Sequence, residues 1–108
     1  MEYSLYLDDV RVPKSDRAWT IVRSYDEAIE LMIKHGCPKY MSFDHDLGEG
    51  LSGYDVAKWM VIKDHANEGA FIPEEFEYNV HSANPVGAEY IRSHLEHYMS
   101  YKRTGIRR

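Results

Sequence analysis

The 108-residue sequence lacks several features that mark common classes of protein. It has a single cysteine, Cys37, so it cannot form an internal disulfide, which favours a reducing cytoplasm. No apolar run approaches the roughly 20 residues of a membrane span. The first residues, MEYSLYLDD, lack the basic start and apolar stretch of a secretory signal. Positive charge is not in excess either, because 13 basic and 18 acidic residues give a net charge of −5. We therefore expect a small, soluble, cytoplasmic protein with no membrane partner and no DNA-coating role.

The composition is that of one folded domain. Hydrophobic residues make up 44% of the chain and aromatic residues 13%, which excludes a disordered protein. A chain of this length buries enough surface for one core and no more. We therefore predict a single domain over residues 1–108, in which about residues 101–108 form a flexible basic tail.

Strand and helix patterns alternate along the chain. Helix starts are indicated where Ser24 and Ser52 open capping patterns and where Asn84 precedes a proline. Residues 10–18, VRVPKSDRA, are polar and contain a proline, so a loop or a poor helix is expected there. The predicted order is strand, strand, helix, strand, helix, strand, helix, which favours a parallel α/β sheet. The predicted strands are Ser4–Leu7, Trp19–Arg23, Lys39–Phe43 and Phe76–Val80.

Polar residues follow three of these strands directly. In open parallel sheets the functional crevice lies beyond the carboxyl ends of the strands, and right-handed crossovers bring those ends to one edge. Four carboxylates and two imidazoles are therefore expected to share one small cleft. The three groups are Asp8-Asp9, Asp44-His45-Asp46 and His81-Ser82-Ala83-Asn84.

Such a cleft needs a source of positive charge, because neighbouring carboxylates repel one another. Mg²⁺ or another divalent cation would provide it, since these ions prefer oxygen ligands. The alternatives are that some carboxyl groups stay protonated or that they hold Arg11, whose planar fork also suits a phosphate. On an extended backbone Asp44 and Asp46 would point one way and His45 the other.

Less specific interpretations exist for each motif. An acidic pair at a strand end is usually a solvated turn or a helix cap, and His81 alone would be a hydrogen-bonded structural histidine. The segment from Gly48 to Gly53 matches G-x-G-x-x-G between a strand and a helix. Surrounding carboxylates would repel a pyrophosphate there, so a dinucleotide site is not favoured.

Three stretches together resemble a response-regulator receiver domain. LYLDD is similar to its first strand and acidic pair, YMSFDHDLGEGLSGYDVAKWM to its third strand and phosphoacceptor loop, and NVHSANP to its fourth strand. The resemblance implies that Asp8 and Asp9 hold Mg²⁺, that Asp44 takes the phosphoacceptor position and that Ser82 takes the hydroxyl position. It also implies a flavodoxin-like three-layer fold, here with about four strands and with the first helix and fifth strand reduced or absent.

The combination LYLDDVRVP, SFDHDLG and HSANPVGAEYI resembles a divergent receiver-like group, the cyclic-phosphate-processing receiver domain. This resemblance covers nearly the whole chain and implies action on cyclic phosphates, such as those of nucleotides or RNA ends. The chain departs from receivers because no fifth strand supplies their phosphate-sensing lysine. It adds His45 and His81 at the same edge, as a phosphoesterase would require.

We therefore expect a receiver-like phosphoesterase that opens a cyclic phosphate on a nucleotide or an RNA end. In this hypothesis water is the nucleophile and His45 and His81 exchange base and acid roles. Asp8, Asp9, Asp44 and Asp46 bind a divalent cation or orient the histidines, and Arg11, Ser82 and Asn84 contact the phosphate. The alternatives are a non-enzymatic receiver-type module that takes up Mg²⁺ or phosphate, and a protein that sequesters a nucleotide signal.

Overall fold

The chain forms four strands and three helices within residues 2–48 and 50–104, the part that the computed structural model describes. Each predicted strand is present, and its boundaries differ from the prediction by at most one residue. The elements are β1 (Ser4–Leu7), β2 (Trp19–Val22), α1 (Tyr25–His35), β3 (Tyr40–Phe43), α2 (Gly53–Ala66), β4 (Glu77–Val80) and α3 (Pro85–Thr104).

The strands form one parallel sheet in the order β2-β1-β3-β4. The crossover from β1 to β2 moves one way across the sheet, and the crossovers through α1 and α2 move the other way. This order places β1 and β3 side by side in the centre, so that their carboxyl ends are neighbours. The predicted α/β receiver-like fold with a short sheet of four strands is confirmed.

Side-chain caps begin the helices where the sequence predicted them. Ser24 accepts the N–H of Glu27 at α1, and Ser52 and Asp55 form a reciprocal capping box at α2. At α3, Asn84 accepts the N–H of Gly87 through its side-chain oxygen. These caps end the loops after β2, β3 and β4, so they fix where each loop leaves the sheet.

All three helices cover one face of the sheet. The crossovers through α1 and α2 run in the same direction across the sheet, and right-handed crossovers in one direction place their helices on one side. Accordingly α2 packs against both α1 and α3. The core between sheet and helices includes Leu5, Leu7, Met41, Phe43, Met60, Ile91 and Leu95.

The opposite face of the sheet carries no helix in the described chain, so the expected three-layer arrangement is corrected to two layers. The β1–β2 crossover runs the opposite way and puts residues 8–18 on this face. Of the two alternatives that the sequence left open for that polar, proline-containing segment, a loop or a poor helix, the structure has the loop. The first helix of a receiver would have supplied the missing layer.

The predicted flexible tail does not include residues 101–104. The helix α3 continues to Thr104, so residues 101–104 are helical, and Tyr101 packs against the core. The Nζ of Lys102 donates a hydrogen bond to the carbonyl oxygen of Ile72 at 2.8 Å, which holds this last turn in place. Residues 105–108 lie outside the described residues. No helix in the described part of the chain has the length and apolarity that a membrane span requires.

Candidate active site at the carboxyl edge of the sheet

Three site residues continue the sheet one residue beyond its strands. The N–H of Asp8 donates to the carbonyl of Val22 at 3.2 Å, that of Asp44 to Leu7 at 2.9 Å, and that of His81 to Phe43 at 2.9 Å. The backbones therefore keep their parallel register past the strand ends. Since side chains alternate between faces, Asp8, Asp44 and His81 all project toward the face that carries no helix.

These three side chains form one cluster. Asp8, Asp44 and His81 each offer a ligand atom, and these atoms all lie within 4.8 Å of one another. The shortest contact joins Nε2 of His81 to Oδ2 of Asp8 at 3.0 Å. The expectation that distant segments meet at one edge therefore holds for residues 8, 44 and 81.

Asp8 is the fixed point of the cluster. Its side chain is fully buried, and its Oδ1 accepts the N–H groups of Val10 at 2.9 Å and Arg11 at 2.8 Å. Burial alone would raise its pKa, but these hydrogen bonds and the one from His81 bring the pKa below the usual range. Asp8 is therefore a carboxylate at neutral pH.

The ring of His81 is held on three sides. Nε2 faces the carboxylate of Asp8, so this nitrogen carries a proton, and Nδ1 lies 2.7 Å from the hydroxyl of Ser42. The ring also stacks on Tyr6, with ring centroids 4.5 Å apart and planes 3° from parallel. The carboxylate therefore fixes the orientation of this imidazole, as it does in histidines that transfer protons.

Asp44 is the carboxyl group of the site whose charged form is disfavoured. It is buried, and burial together with the negative charge of Asp8 raises its pKa, although a hydrogen bond from Ser82 works in the opposite direction. The pKa values of Asp8 and Asp44 are therefore shifted in opposite directions. The positive groups near Asp44 do not fully offset its burial and the charge of Asp8.

His45 and Asp46 form a second carboxylate–histidine pair. Nδ1 of His45 lies 2.9 Å from Oδ1 of Asp46, and this hydrogen bond lowers the pKa of Asp46. The amide of Asn84 donates to the same carboxylate at 3.4 Å. Within the described chain, Nε2 of His45 has no hydrogen-bond partner. The expected alternation of Asp44 and Asp46 against His45 does not hold, because the strand ends at Phe43 and the period of two ends with it.

The remaining predicted residues lie around these pairs. Arg11 is half-exposed, with Nε 3.4 Å from Asp8 and Nη1 3.1 Å from the carbonyl of His81. Its position ties the segment after β1 to the end of β4. Asp9 is not part of the cluster among the described residues, and its carboxylate points toward Gly48.

Sequence reasoning missed three residues that organise the site. Ser42 and Tyr6 hold the His81 ring from within the strands, and Arg23 donates to the backbone carbonyl of Asp8 at 3.1 Å. The period of two along β3 was a usable signal for Ser42, since Ser42 and Asp44 must face the same side. For Arg23 there was no local signal.

The cluster of Asp8, Asp44 and His81 suits a divalent cation by its donor set. The two carboxylates suit Mg²⁺ or Mn²⁺, and an imidazole beside them also suits ions such as Fe²⁺ or Zn²⁺. The raised pKa of Asp44 points the same way, because a cation would offset the repulsion from Asp8. To bind all three residues, the ion would have to replace the hydrogen bond between His81 and Asp8.

Comparison with known families gives one decisive match, to the family described as cyclic-phosphate processing receiver domain, over residues 3–97. The chain belongs to this family. Comparison with curated proteins and with solved structures gives no match. The region that this cyclic-phosphate processing receiver domain shares with its family runs from β1 into α3, so it contains both carboxylate–histidine pairs.

Proposed function

We propose that this receiver-like domain is a phosphoesterase that opens a cyclic phosphate on a nucleotide or an RNA end. The observation that carries the proposal is the presence of two carboxylate–histidine pairs, Asp8–His81 and Asp46–His45, beside Asp44 at one sheet edge. Membership of a family named for cyclic-phosphate processing supports the same substrate class.

The reaction requires two proton transfers. A water oxygen forms a bond to phosphorus while one ring P–O bond breaks, and the product is a phosphomonoester with a free hydroxyl. One imidazole takes the proton of the water and the other gives a proton to the departing oxygen. His45 would exchange its proton at Nε2, and His81 at Nδ1, where the Ser42 hydroxyl now lies. Asp46 and Asp8 would stabilise the two imidazolium forms.

Three further residues would hold the phosphate. Arg11 presents a half-exposed guanidinium beside the cluster, and its planar fork suits two phosphate oxygens. Ser82 and Asn84 lie at the start of α3, where backbone N–H groups and the helix dipole favour an anion. In this proposal Ser82 and Asn84 orient the phosphate, and Arg11 neutralises it.

We also propose a divalent cation at Asp8 and Asp44, with His81 as a close neighbour that keeps its hydrogen bond to Asp8. The bound cation would stabilise the negative charge that develops on the phosphoryl oxygens. Asp44 would be the second carboxylate ligand, and the cation would offset the burial and the repulsion from Asp8 that raise the pKa of Asp44.

A receiver-type switch that phosphorylates Asp44 is less well supported. The residue is only 3% exposed, and its raised pKa makes the carboxylate harder to form in its buried position. An aspartyl-phosphate would also add charge next to Asp8. Sequestration of a nucleotide without cleavage remains distinguishable, because it predicts that the ligand is recovered intact.

The test is hydrolysis of 2′,3′-cyclic and 3′,5′-cyclic nucleotides and of RNA with a cyclic-phosphate end, with Mg²⁺, Mn²⁺ or EDTA. We expect turnover that EDTA abolishes. His45→Gln and His81→Gln should each lower kcat by roughly 10²–10⁴-fold, the usual contribution of a proton-transferring group. His65→Gln, on the exposed side of α2, is the matched control and should retain full activity.

Each part of the proposal has its own contradicting result. Intact substrate after long incubation with every cation would overturn the esterase and favour sequestration. Full activity in the double variant His45→Gln, His81→Gln would overturn the proton-transfer roles. Undiminished turnover in EDTA would contradict the proposed cation but not the proposed esterase activity.

A further inference from the structure

The face of the sheet without helices forms an open groove of about 710 Å³. Its floor consists of side chains that alternate outward from the strands, including Tyr6, Tyr40 and Ser42, and one wall is the segment after β1. His81 also lines the groove. The groove therefore begins at the candidate active site and runs along the sheet away from it. Its volume lies within the range of sites for small ligands.

Aromatic rings line much of the groove. The rings of Tyr6 and Trp19 are 5.5 Å apart, those of Trp19 and Tyr40 are 5.6 Å apart, and Tyr6 stacks on His81. Trp19 is fixed by a hydrogen bond from its indole N–H to the hydroxyl of Ser15 at 3.0 Å. The rings thus form a continuous and largely fixed surface from Tyr40 to the site.

The groove is positively charged in an acidic protein. Arg11, Lys14 and Arg17 line it, and no carboxylate side chain of the described chain does, although the net charge of the whole sequence is −5. The guanidinium carbon of Arg17 lies 4.3 Å from the centroid of the Tyr40 ring. A cation over an aromatic face is an arrangement into which a planar base can insert or stack.

We propose that this groove binds the base and ribose of a nucleotide whose cyclic phosphate lies at the carboxyl edge. The base stacks on the ring of Tyr40, beside the ring of Trp19, whose plane is inclined by 44°, and Arg17 lies over the base or beside it. Lys14 and Arg17 contact the phosphate of a preceding nucleotide where the substrate is an RNA end. The position of the reacting phosphate rests on the proposed function, but base binding is a separate property of the groove.

The chemistry of the groove favours a nucleotide over other occupants. A peptide, a lipid or a second copy of the chain would leave Lys14 and Arg17 without an anionic partner unless it supplied acidic groups. A nucleotide supplies a planar ring, a sugar and an anion, which match the aromatic floor, the polar side chains and the three cations.

The experiment reads the fluorescence of Trp19. The sequence has two tryptophans, and Trp59 lies in α2 against Phe71, so Trp59→Phe leaves Trp19 as the one reporter. The Trp59→Phe protein is titrated with adenosine 2′,3′-cyclic phosphate, with adenosine and with ribose 2,3-cyclic phosphate, which has no base. We expect saturable quenching by both ligands that carry a base, and none by the base-free compound.

Variants locate the contact. Tyr40→Leu and Arg17→Gln should each raise the Kd for the cyclic nucleotide roughly tenfold, within the range for loss of one stacking partner. Their matched controls are Tyr90→Leu and Arg92→Gln, exposed residues of α3 on the other face, which should leave Kd unchanged. Arg17 is exposed, so its variant stays informative if Tyr40→Leu lowers stability.

The outcomes separate this inference from the proposed function. Quenching that depends on Tyr40 and Arg17 without any hydrolysis would support the groove and overturn the esterase. Hydrolysis with equal kcat/KM for substrates with and without a base, together with no quenching, would overturn base binding in the groove but not the proposed esterase activity. A dimer in sedimentation that Tyr40→Leu dissociates would also overturn it, by assigning the groove to a second copy.

Discussion

Asp64 is a fully buried carboxylate far from the site, and each of its oxygens is bound. Oδ1 accepts the N–H groups of Phe71 at 2.9 Å and Ile72 at 2.6 Å, and Oδ2 is bound by Tyr98 at 2.6 Å and Lys102 at 2.9 Å. One side chain therefore joins the end of α2, the following loop and the last turns of α3. A buried charge of this kind is stable only while its partners remain.

Replacing this carboxylate should destabilise the fold. Asp64→Asn leaves Lys102 without its charge partner, so we expect the free energy of unfolding to fall by about 3 kcal/mol at pH 7. The exposed Glu30→Gln is the control and should change it by less than about 0.5 kcal/mol. Urea denaturation of both variants measures the difference, and equal stability of Asp64→Asn and the parent would contradict this role.

The same pair predicts a pH dependence of known sign. Burial raises the pKa of Asp64, but hydrogen bonds from Tyr98 and Ile72 and the charge of Lys102 bring it below the ordinary value of 3.8. The stabilisation is therefore complete above that value and is lost as the pH falls through the lower folded-state pKa. The gap between the parent and Asp64→Asn should shrink in that acidic range, and a gap that widened there would refute the assignment.

Two helices meet the loop after β3 through glycine. A Cβ at Gly53, the first residue of α2, would collide with the backbone carbonyl of Asp44, and a Cβ at Gly87 in α3 would meet the ring of His45. The N–H of Gly53 also donates to the carbonyl of His45 at 2.8 Å. The starts of α2 and α3 therefore clamp the loop that carries Asp44 and His45.

Alanine at these two glycines should have different effects. Alanine normally stabilises a helix by up to about 1 kcal/mol over glycine, so a loss of stability is diagnostic. Gly53→Ala should cost about 3 kcal/mol, because a backbone group must move. Gly87→Ala should lower the free energy of unfolding by only about 1 kcal/mol, because the His45 ring can turn away from the new methyl group. The displaced ring should lower kcat. Thermal unfolding and kcat measure both effects, and two stabilised, fully active variants would refute the clamp.

Local signals explain which elements could be predicted. Ser52 and Asn84 carry capping chemistry in the sequence itself, and the β-branched and aromatic runs mark the strands to within one residue. The parallel topology followed from alternation of strands and helices, and it was sufficient to bring Asp8, Asp44 and His81 to one edge. These features depend on residues that are close in the sequence, or on the general right-handedness of crossovers between parallel strands, so they can be predicted from a sequence.

The rest depends on contacts between distant segments. The orientation of His45 toward Asp46 and Gly87 is set by α3, so the alternation of β3 could not predict it. The partners of Asp64 lie in three different elements, and α3 continues through residues 101–104 because Lys102 and Tyr101 are held there. A basic tail sequence alone does not show such contacts.

The whole molecule has two unlike faces and one chemical edge. Three helices cover one face, and the other is an aromatic, positively charged groove that ends at the Asp8–His81 pair. Without a helix between β1 and β2, this face of the sheet leaves a surface exposed next to the site. Because the groove and the edge are continuous, the proposed binding and chemistry on one ligand would require no movement of the sheet.

His45 and His81 lie 36 positions apart in the sequence, and the proposed mechanism requires both to respond to one ligand at this edge. Nitrogen-15 NMR of the histidine rings, titrated with adenosine 3′-monophosphate as the product of ring opening, tests it directly. If both rings act at this edge, the resonances of His45 and His81 should shift together with a single Kd, while those of His65 and His97 stay in place. Shifts of His45 and His81 that follow different Kd values, or no shift of either ring at saturating ligand, would contradict it.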